Sequence, residues 1–300
     1  MDAYAVAGGH KISLSDGDIC YLMGWDGLGA MPLRRLMDSG PQQHGSTDRG
    51  FKCLERHFQL VLDLLGTSAP DLEVRRRRLR NALRPSNSAP LSLLFELDSG
   101  AERQIDCAYD GESLRMGTQD RLAFYQRMVA GFIAGTPVLY DPTPIEYVWT
   151  LAVLEKIRFP IEFDLEFGGD LISETVSIPY GGSRYAYPII TITGPLNNTQ
   201  IHNLTTSELL DFSTYDVAAG EVVTIDCRYA HKSVRNQDND NLLSYITQNS
   251  DSDLATFHLQ AAEPPLDLPV KVNEIYVMGS GAVAGQTRVA LTYYTAYDGI

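Results

Sequence analysis

Tyr187–Thr206 reads Y-P-I-I-T-I-T-G-P-L-N-N-T-Q-I-H-N-L-T-T. Ile189 to Thr193 is a β-branched run, and such residues lose little when extended and pack well on a pleated surface. Gly194 and Pro195, followed by Asn197 and Asn198, stop that strand and turn the chain. Ile201 to Thr205 then resumes an extended run, so the local pattern predicts a β-hairpin. Along its first arm Ile190 and Ile192 fall on one face, and Ile189, Thr191 and Thr193 on the other. A two-stranded unit is marginal alone, so more sheet must surround it.

Glu221–Asp226 (E-V-V-T-I-D), Leu254–Gln260 and Thr287–Tyr294 read as further short strands between Gly, Asn, Asp and Pro clusters. That spacing belongs to a sandwich or barrel, so the second half is all-β. The balance of 44% hydrophobic and 21% charged residues over 300 positions is that of a folded chain. A net charge of −14 argues against a sequence-reading nucleic-acid binder, whose affinity comes from neutralised phosphates. Cys20, Cys53, Cys107 and Cys227 have no paired spacing, which predicts buried thiols kept reduced, neither a disulfide framework nor a zinc site. The start M-D-A-Y-A-V-A-G-G-H has no secretory pattern, and no apolar run approaches membrane-spanning length.

In the first half, Gly24-Trp25-Asp26-Gly27-Leu28-Gly29 places three glycines around an aromatic. A phosphate loop would need a following helix carrying Lys and Ser or Thr, and Ala30-Met31-Pro32 does not supply it, so the motif reads as a structural turn. Leu54, Phe58, Leu60, Leu62 and Leu64 alternate with polar positions, predicting one long half-buried strand over Lys52–Leu64. Pro70-Asp71 opens a helix over Leu72–Leu83 that presents Leu72, Leu79 and Leu83 on one face, with Pro85 ending it. Arg75, Arg76, Arg77 and Arg78 sit inside it. Four consecutive arginines spread around a helix axis and cannot all serve one ligand; they form either a solvated face or a subunit contact with an acidic neighbour. Leu91–Leu97, Gln104–Tyr109 and Leu122–Ile133 read as three more strands. The proline cluster Thr136–Pro144 marks a boundary between domains 1–142 and 143–300.

The order of these pieces resembles the siphovirus-type distal tail protein (Dit) family of long non-contractile phage tails. The matching series runs G-W-D-G-L-G at Gly24, G-P-Q-Q-H-G at Gly40, the strand containing Arg56, the helix and T-P-V-L-Y-D-P. It continues through Y-P-I-I-T-I-T-G-P-L, I-H-N-L-T-T from Ile201, G-E-V-V-T-I-D from Gly220, N-L-L-S-Y-I from Asn241 and a late hairpin through Gly279, Gly281 and Gly285. The resemblance implies a mainly β protein: an N-terminal β-rich ring-forming domain with one helix and a protruding arm, then a C-terminal galectin-like β-sandwich. It implies a structural virion protein without catalysis, cofactor or metal, at the distal end of the tail and assembled in the host cytoplasm. Six copies would form a ring joining the tail tube to the tail-tip hub and leaving a channel for DNA, with the tape measure protein or a receptor-binding protein as further neighbours. Within that frame the interface residues expected are Arg75 to Arg78, Leu54 and Phe58.

Chemistry elsewhere is sparse. Glu162, Asp164 and Glu166 alternate along one stretch, but no nucleophile, base and orienter come together in the sequence. Asn236–Asn241 has calcium-type side chains without the glycine and distal glutamate of an EF-hand loop, and the histidines lack metal spacing. Two alternatives to a ring scaffold are a glycoside hydrolase domain and a carbohydrate-binding host-recognition module. The second would use Trp149, Tyr180, Tyr185 or Tyr187.

Overall fold

The computed structural model describes residues 1–8, 10–84, 91–111, 122–151, 170–229, 231–247, 252–262 and 270–300. The chain is mainly β and gathers into two units, Met1–Pro142 with Ala296–Ile300, and Thr143–Thr295. The last five residues, which a linear division at Pro142 leaves with the second unit, belong to the first.

The first unit contains β1 (Asp2–Ala7), β2 (His10–Ser13), β3 (Tyr21–Asp26), β4 (Leu33–Asp38), β5 (Thr47–Cys53), β6 (Arg56–Leu65), α1 (Ala69–Ala82), β7 (Leu91–Glu96), β8 (Glu102–Tyr109), β9 (Tyr125–Ala134) and β10 (Leu139–Tyr140). Its main antiparallel sheet runs β2-β1-β7-β8-β9-β6-β3, while β4 and β5 pair only with each other. The strand predicted over Lys52–Leu64 is therefore two strands, broken at Leu54 and Glu55. Phe58, Leu60, Leu62 and Leu64 keep one phase along β6 and are buried. They meet the inward face of β9, where Phe58 stacks on Phe132 with ring centroids 5.2 Å apart. Gln126 interrupts the apolar series of β9 without breaking its phase and is buried with Met128, Ala130 and Phe132.

Helix α1 starts where Ser68 accepts the Asp71 backbone N–H at 3.3 Å through Oγ. Pro70 in its first turn has no N–H to satisfy there, and Asp71 faces the positive end of the helix dipole. Leu72, Leu79 and Ala82 are buried against the core.

Arg56 is the charge around which this unit closes. It is fully buried, and its guanidinium donates to Pro137 O at 2.8 Å, to Gly27 O and Gly29 O at 2.9 Å each, and to Asp298 O. One side chain thus joins the loop after β3, the proline-rich segment and the C-terminal residues. Gly27 sits at φ +83°, and a Cβ there would lie 2.4 Å from His57 O. The glycine motif is structural: its backbone must pass close to β6 and turn its carbonyls onto Arg56. Burial pulls the Arg56 pKa down and the nearby Asp298 charge pulls it up. An arginine stays charged under both, and bonds to carbonyls rather than a carboxylate satisfy it.

The second unit contains β11 (Ile145–Thr150), β12 (Ile172–Tyr180), β13 (Ile189–Thr193), β14 (Asn197–Asn203), β15 (Glu208–Phe212), β16 (Val222–Asp226), β17 (Ser233–Asn236), the short helix α2 (Leu243–Thr247), β18 (Lys271–Ser280) and β19 (Arg288–Tyr293). Closing the first unit, β20 (Ala296–Tyr297) pairs with β10. The second unit has two antiparallel sheets, β11-β19-β13-β16-β17 and β12-β18-β14-β15, which share one core. The hairpin predicted over Tyr187–Thr206 is corrected here. β13 pairs with β16 and β19, whereas β14 pairs with β15 and β18, so the two strands belong to opposite sheets. The turn between them is an arch over the core, not a hairpin. Its cause is burial: Ile190, Ile192, Leu196 and Ile201 are all at most 1% exposed, which a pair lying side by side in one sheet would not require of the connection as well. Gly194 makes the arch possible, since a Cβ there would lie 2.1 Å from Ala218 O.

The run Leu254–Gln260 is also not a strand; its one β-bridge, Leu259 to Ala186, lies outside the named strands. Two fully buried asparagines hold it instead. Asn203 Nδ2 donates to His258 O at 2.6 Å, and Asn273 exchanges bonds with Gln260 N and O at 2.8 and 3.0 Å. Asn236 caps its own turn, its Oδ1 accepting from Asp240 N at 2.8 Å and Asp238 N at 3.1 Å.

Candidate assembly interface

A protomer that joins copies of itself must carry surface it does not bury alone. In β4 every residue is exposed, and β5 is exposed except at Gly50 and Cys53, which are half-buried. Leu33, Leu36, Met37, Phe51 and Leu54 are between 38 and 54% exposed, scattered over both faces of the hairpin. Arg35 with Asp48 at 2.8 Å and Arg49 with Asp38 at 3.4 Å pin the two strands together. Such exposed pairs contribute less than about 1 kcal/mol each. A free-standing two-stranded ribbon is therefore weak and apolar at once. It is also locally basic: Arg34, Arg35, Arg49 and Lys52 stand against Asp38 and Asp48, in a chain of net charge −14.

The second exposed region is β3, which ends the main sheet and leaves one backbone edge unpaired among the described residues. Tyr21, Met23 and Trp25 on it are 42 to 56% exposed. Trp25 is in register with Leu60, a buried residue, so its indole lies on the core side of the sheet where the protomer does not cover it. Unpaired edges of this sort are shielded in native proteins by charge, a bulge or a neighbour. Here a bulge falls at Met23 and no other shield is present among the described residues.

The residues expected from sequence at the interface separate. Phe58 is in the core and cannot meet another protein. Leu54 is exposed at the root of the hairpin. Arg75 reaches Asp71 at 3.2 Å and Asp18 O at 2.8 Å, and Arg78 clasps Asp18 through two bonds of 2.6 and 3.3 Å. Both tie α1 to the loop before β3. Arg78 and Asp18 lower the carboxyl pKa and raise the guanidinium pKa, each through the bond to the other. Arg76 is buried with Nη1 3.3 Å from Glu73, while its Nε and Nη2 have no hydrogen-bond partner among the described residues. Arg77 alone of the four is exposed without a bond to another described residue. Sequence reasoning found the arginines but missed the ribbon and the β3 edge. The available signal was L-R-R-L-M-D and T-D-R-G-F-K-C flanking the turn G-P-Q-Q-H-G.

An open hollow of about 410 Å3, lined by Lys11, Ser13, Asp16, Asp18 and Arg78 among others, holds Arg78 paired with Asp18 and Lys11 3.9 Å from the Tyr4 centroid. No group of three or more His, Cys, Asp or Glu side chains is placed to hold a metal among the described residues. Burial pushes the Cys20, Cys107 and Cys227 thiols up to about 12, so they are inert at neutral pH. Glu162, Asp164 and Glu166 lie outside the described residues. No described helix is long and apolar enough to cross a membrane.

The fold of the whole chain, two β-rich units in succession, is shared with a solved phage protein. In particular, the chain is similar to the crystal structure of the Dit protein of phage SPP1, described as a paradigm of the hub adsorption apparatus in phages infecting Gram-positive bacteria, with TM-score 0.62, 12% identity and 98% of both chains covered. Chains from the baseplate of phage p2 in its activated conformation, with Sr and with Ca, align at TM-scores of 0.46 and 0.44 and identities of 9 and 10%. They cover 94% of this chain and 99 and 100% of theirs. No protein-family model and no curated protein matches the sequence.

Proposed function

We propose that this chain is a structural protein of a phage tail tip, six copies of which form a ring that connects the tail tube to the tail-tip hub and leaves a channel for DNA. Residues 1–142 with the C-terminal segment make the ring, and the galectin-like sandwich faces the neighbouring tail proteins. It acts in the virion, after assembly in the host cytoplasm, without catalysis or a cofactor. The observation that carries this reading is the ribbon of β4 and β5, which buries almost nothing in its own protomer. The full-length fold likeness to a phage hub protein supplies the context. A closed ring of identical copies needs two different patches to meet at each joint. The basic, apolar ribbon and the uncovered β3 edge are such a pair, with Leu54 at the ribbon root and Arg77 on α1 as further contacts. The acidic balance of the chain suits a lumen that DNA must pass without sticking.

Images of the purified protein, or of the protein with its tail-hub partner, test this: six-fold particles with a central opening are expected, and closed globular monomers in both preparations would refute it.

A further inference from the structure

The second unit carries an aromatic surface that the proposed ring contacts, all on the first unit, leave unassigned. The aromatic residues named from sequence part company: Trp149 and Tyr180 are fully buried in the core, whereas Tyr185 and Tyr229 are 40 and 58% exposed. His258 stands between Tyr185 and Tyr187, its ring centroid 4.5 and 6.1 Å from theirs, and Tyr187 meets Tyr229 edge-on at 4.7 Å. Four rings thus form one continuous row.

The row is rigidly held. Asn203 and Asn273 clamp the segment that bears His258, and the bridge from Ala186 to Leu259 fixes the residue between the two tyrosines. His258 Nδ1 faces only acceptors, Thr256 O at 2.9 Å and Glu208 Oε1 at 3.2 Å, so Nδ1 carries a proton and, in the neutral ring, Nε2 is the acceptor. Lys232 Nζ donates to Cys227 O and Leu254 O at 3.0 and 3.1 Å, which parks the ammonium 5.4 Å from the Tyr187 centroid and 5.1 Å from that of Tyr229. The row therefore offers exposed ring faces bordered by a fixed donor and a fixed acceptor.

We infer that this surface binds a saccharide. A pyranose presents a C–H face that lies on an aromatic ring and hydroxyls that both donate and accept around its rim. That pattern matches tyrosine faces flanked by an ammonium and an imidazole nitrogen. An apolar peptide would leave Lys232 and His258 facing unmatched groups, and Arg184, 5.9 Å from the Tyr185 centroid, adds a second cation at the rim. Because the rings are already fixed, little ordering opposes binding.

Saturation-transfer NMR on the full chain, using cellotetraose, maltotetraose, chitotetraose and β-1,4-galactotetraose as probes, tests the inference. At least one probe is expected to show transfer to its ring C–H protons. Tyr229→Ala and Tyr185→Ala are each expected to weaken it about tenfold, with the melting temperature held. Leu122→Ala, an exposed residue of the first unit, is expected to leave the transfer unchanged. Absence of transfer to all four probes, or transfer unaffected in the Tyr185→Ala and Tyr229→Ala double variant, overturns it. So does transfer seen only with a poly(glycerol phosphate) control. A chain that stays monomeric can still bind a sugar, so this result and the ring are decided separately.

Discussion

Two strand–turn–strand segments of this chain look alike locally and end in opposite circumstances. Leu33–Cys53 turns through G-P-Q-Q-H-G and pairs with itself, exposed on both faces. Ile189–Asn203 turns through G-P-L and sends its two strands into opposite sheets, closing over a dry core. The second is committed to its own protomer and makes a rigid module. The first contributes little to its protomer and has surface to give to another. What separates a stabilising segment from a joining one here is the partner, not the turn.

That contrast predicts a graded set of effects on the unfolding free energy in urea. The largest is expected at Arg56, just past the ribbon's root. Arg56→Ala strands four carbonyls on three segments and is expected to cost about 4 kcal/mol. Its ribbon counterpart Arg49→Ala, an exposed ion pair, is expected to stay within about 0.5 kcal/mol. Next comes Ile192→Ala on the core side of the arch, expected to cost about 3 kcal/mol, whereas Met37→Ala in the ribbon is again near zero. Equal losses at Ile192 and Met37 in a monomeric sample would break the comparison.

A smaller effect follows pH. Arg127 lies directly across β9 from Asp63 on β6 and bonds it twice, at 2.8 and 2.9 Å, holding the Asp63 carboxyl below the usual carboxylate range. A depressed folded pKa contributes stability that is present above the unfolded value, about 3.9, and is lost as pH falls through the folded one. The melting temperature of the protein is therefore expected to fall more steeply from pH 5 to pH 3 than that of Asp63→Asn. Parallel curves would show that the pair contributes nothing.

Much of the fold was legible in the sequence. β7, β8, β16 and β19 lie where β-branched and alternating runs placed them, and the glycine motif at Gly24 was readable as a turn because it lacks the helix a phosphate loop needs. Pairing was not legible. The arch and a hairpin share the same local chemistry, and only the burial of Leu196 and Ile201 against the same core as Ile192 distinguishes them. Nor was the break in the predicted long strand, because Leu54 and Phe58 keep the same even phase across it, one exposed and one buried. The arginine run was seen as spreading around a helix, but its partner loop at Gly17 and Asp18 is far away in sequence, so the clasp of Arg75 and Arg78 could not be read. A charged joint is tested by Arg77→Glu rather than at Arg76, because Arg76 is buried and Arg77 is exposed.

The smallest expected change in stability tests the central claim most directly. Native mass measurement should compare the full chain with a variant in which Leu36, Met37 and Phe51 are all replaced by Ser. The account predicts a mass of six chains for the first and of one chain for the second, with both unfolding at the same urea concentration. Equal masses for the two proteins, both alone and with the tail-hub partner present, would contradict it.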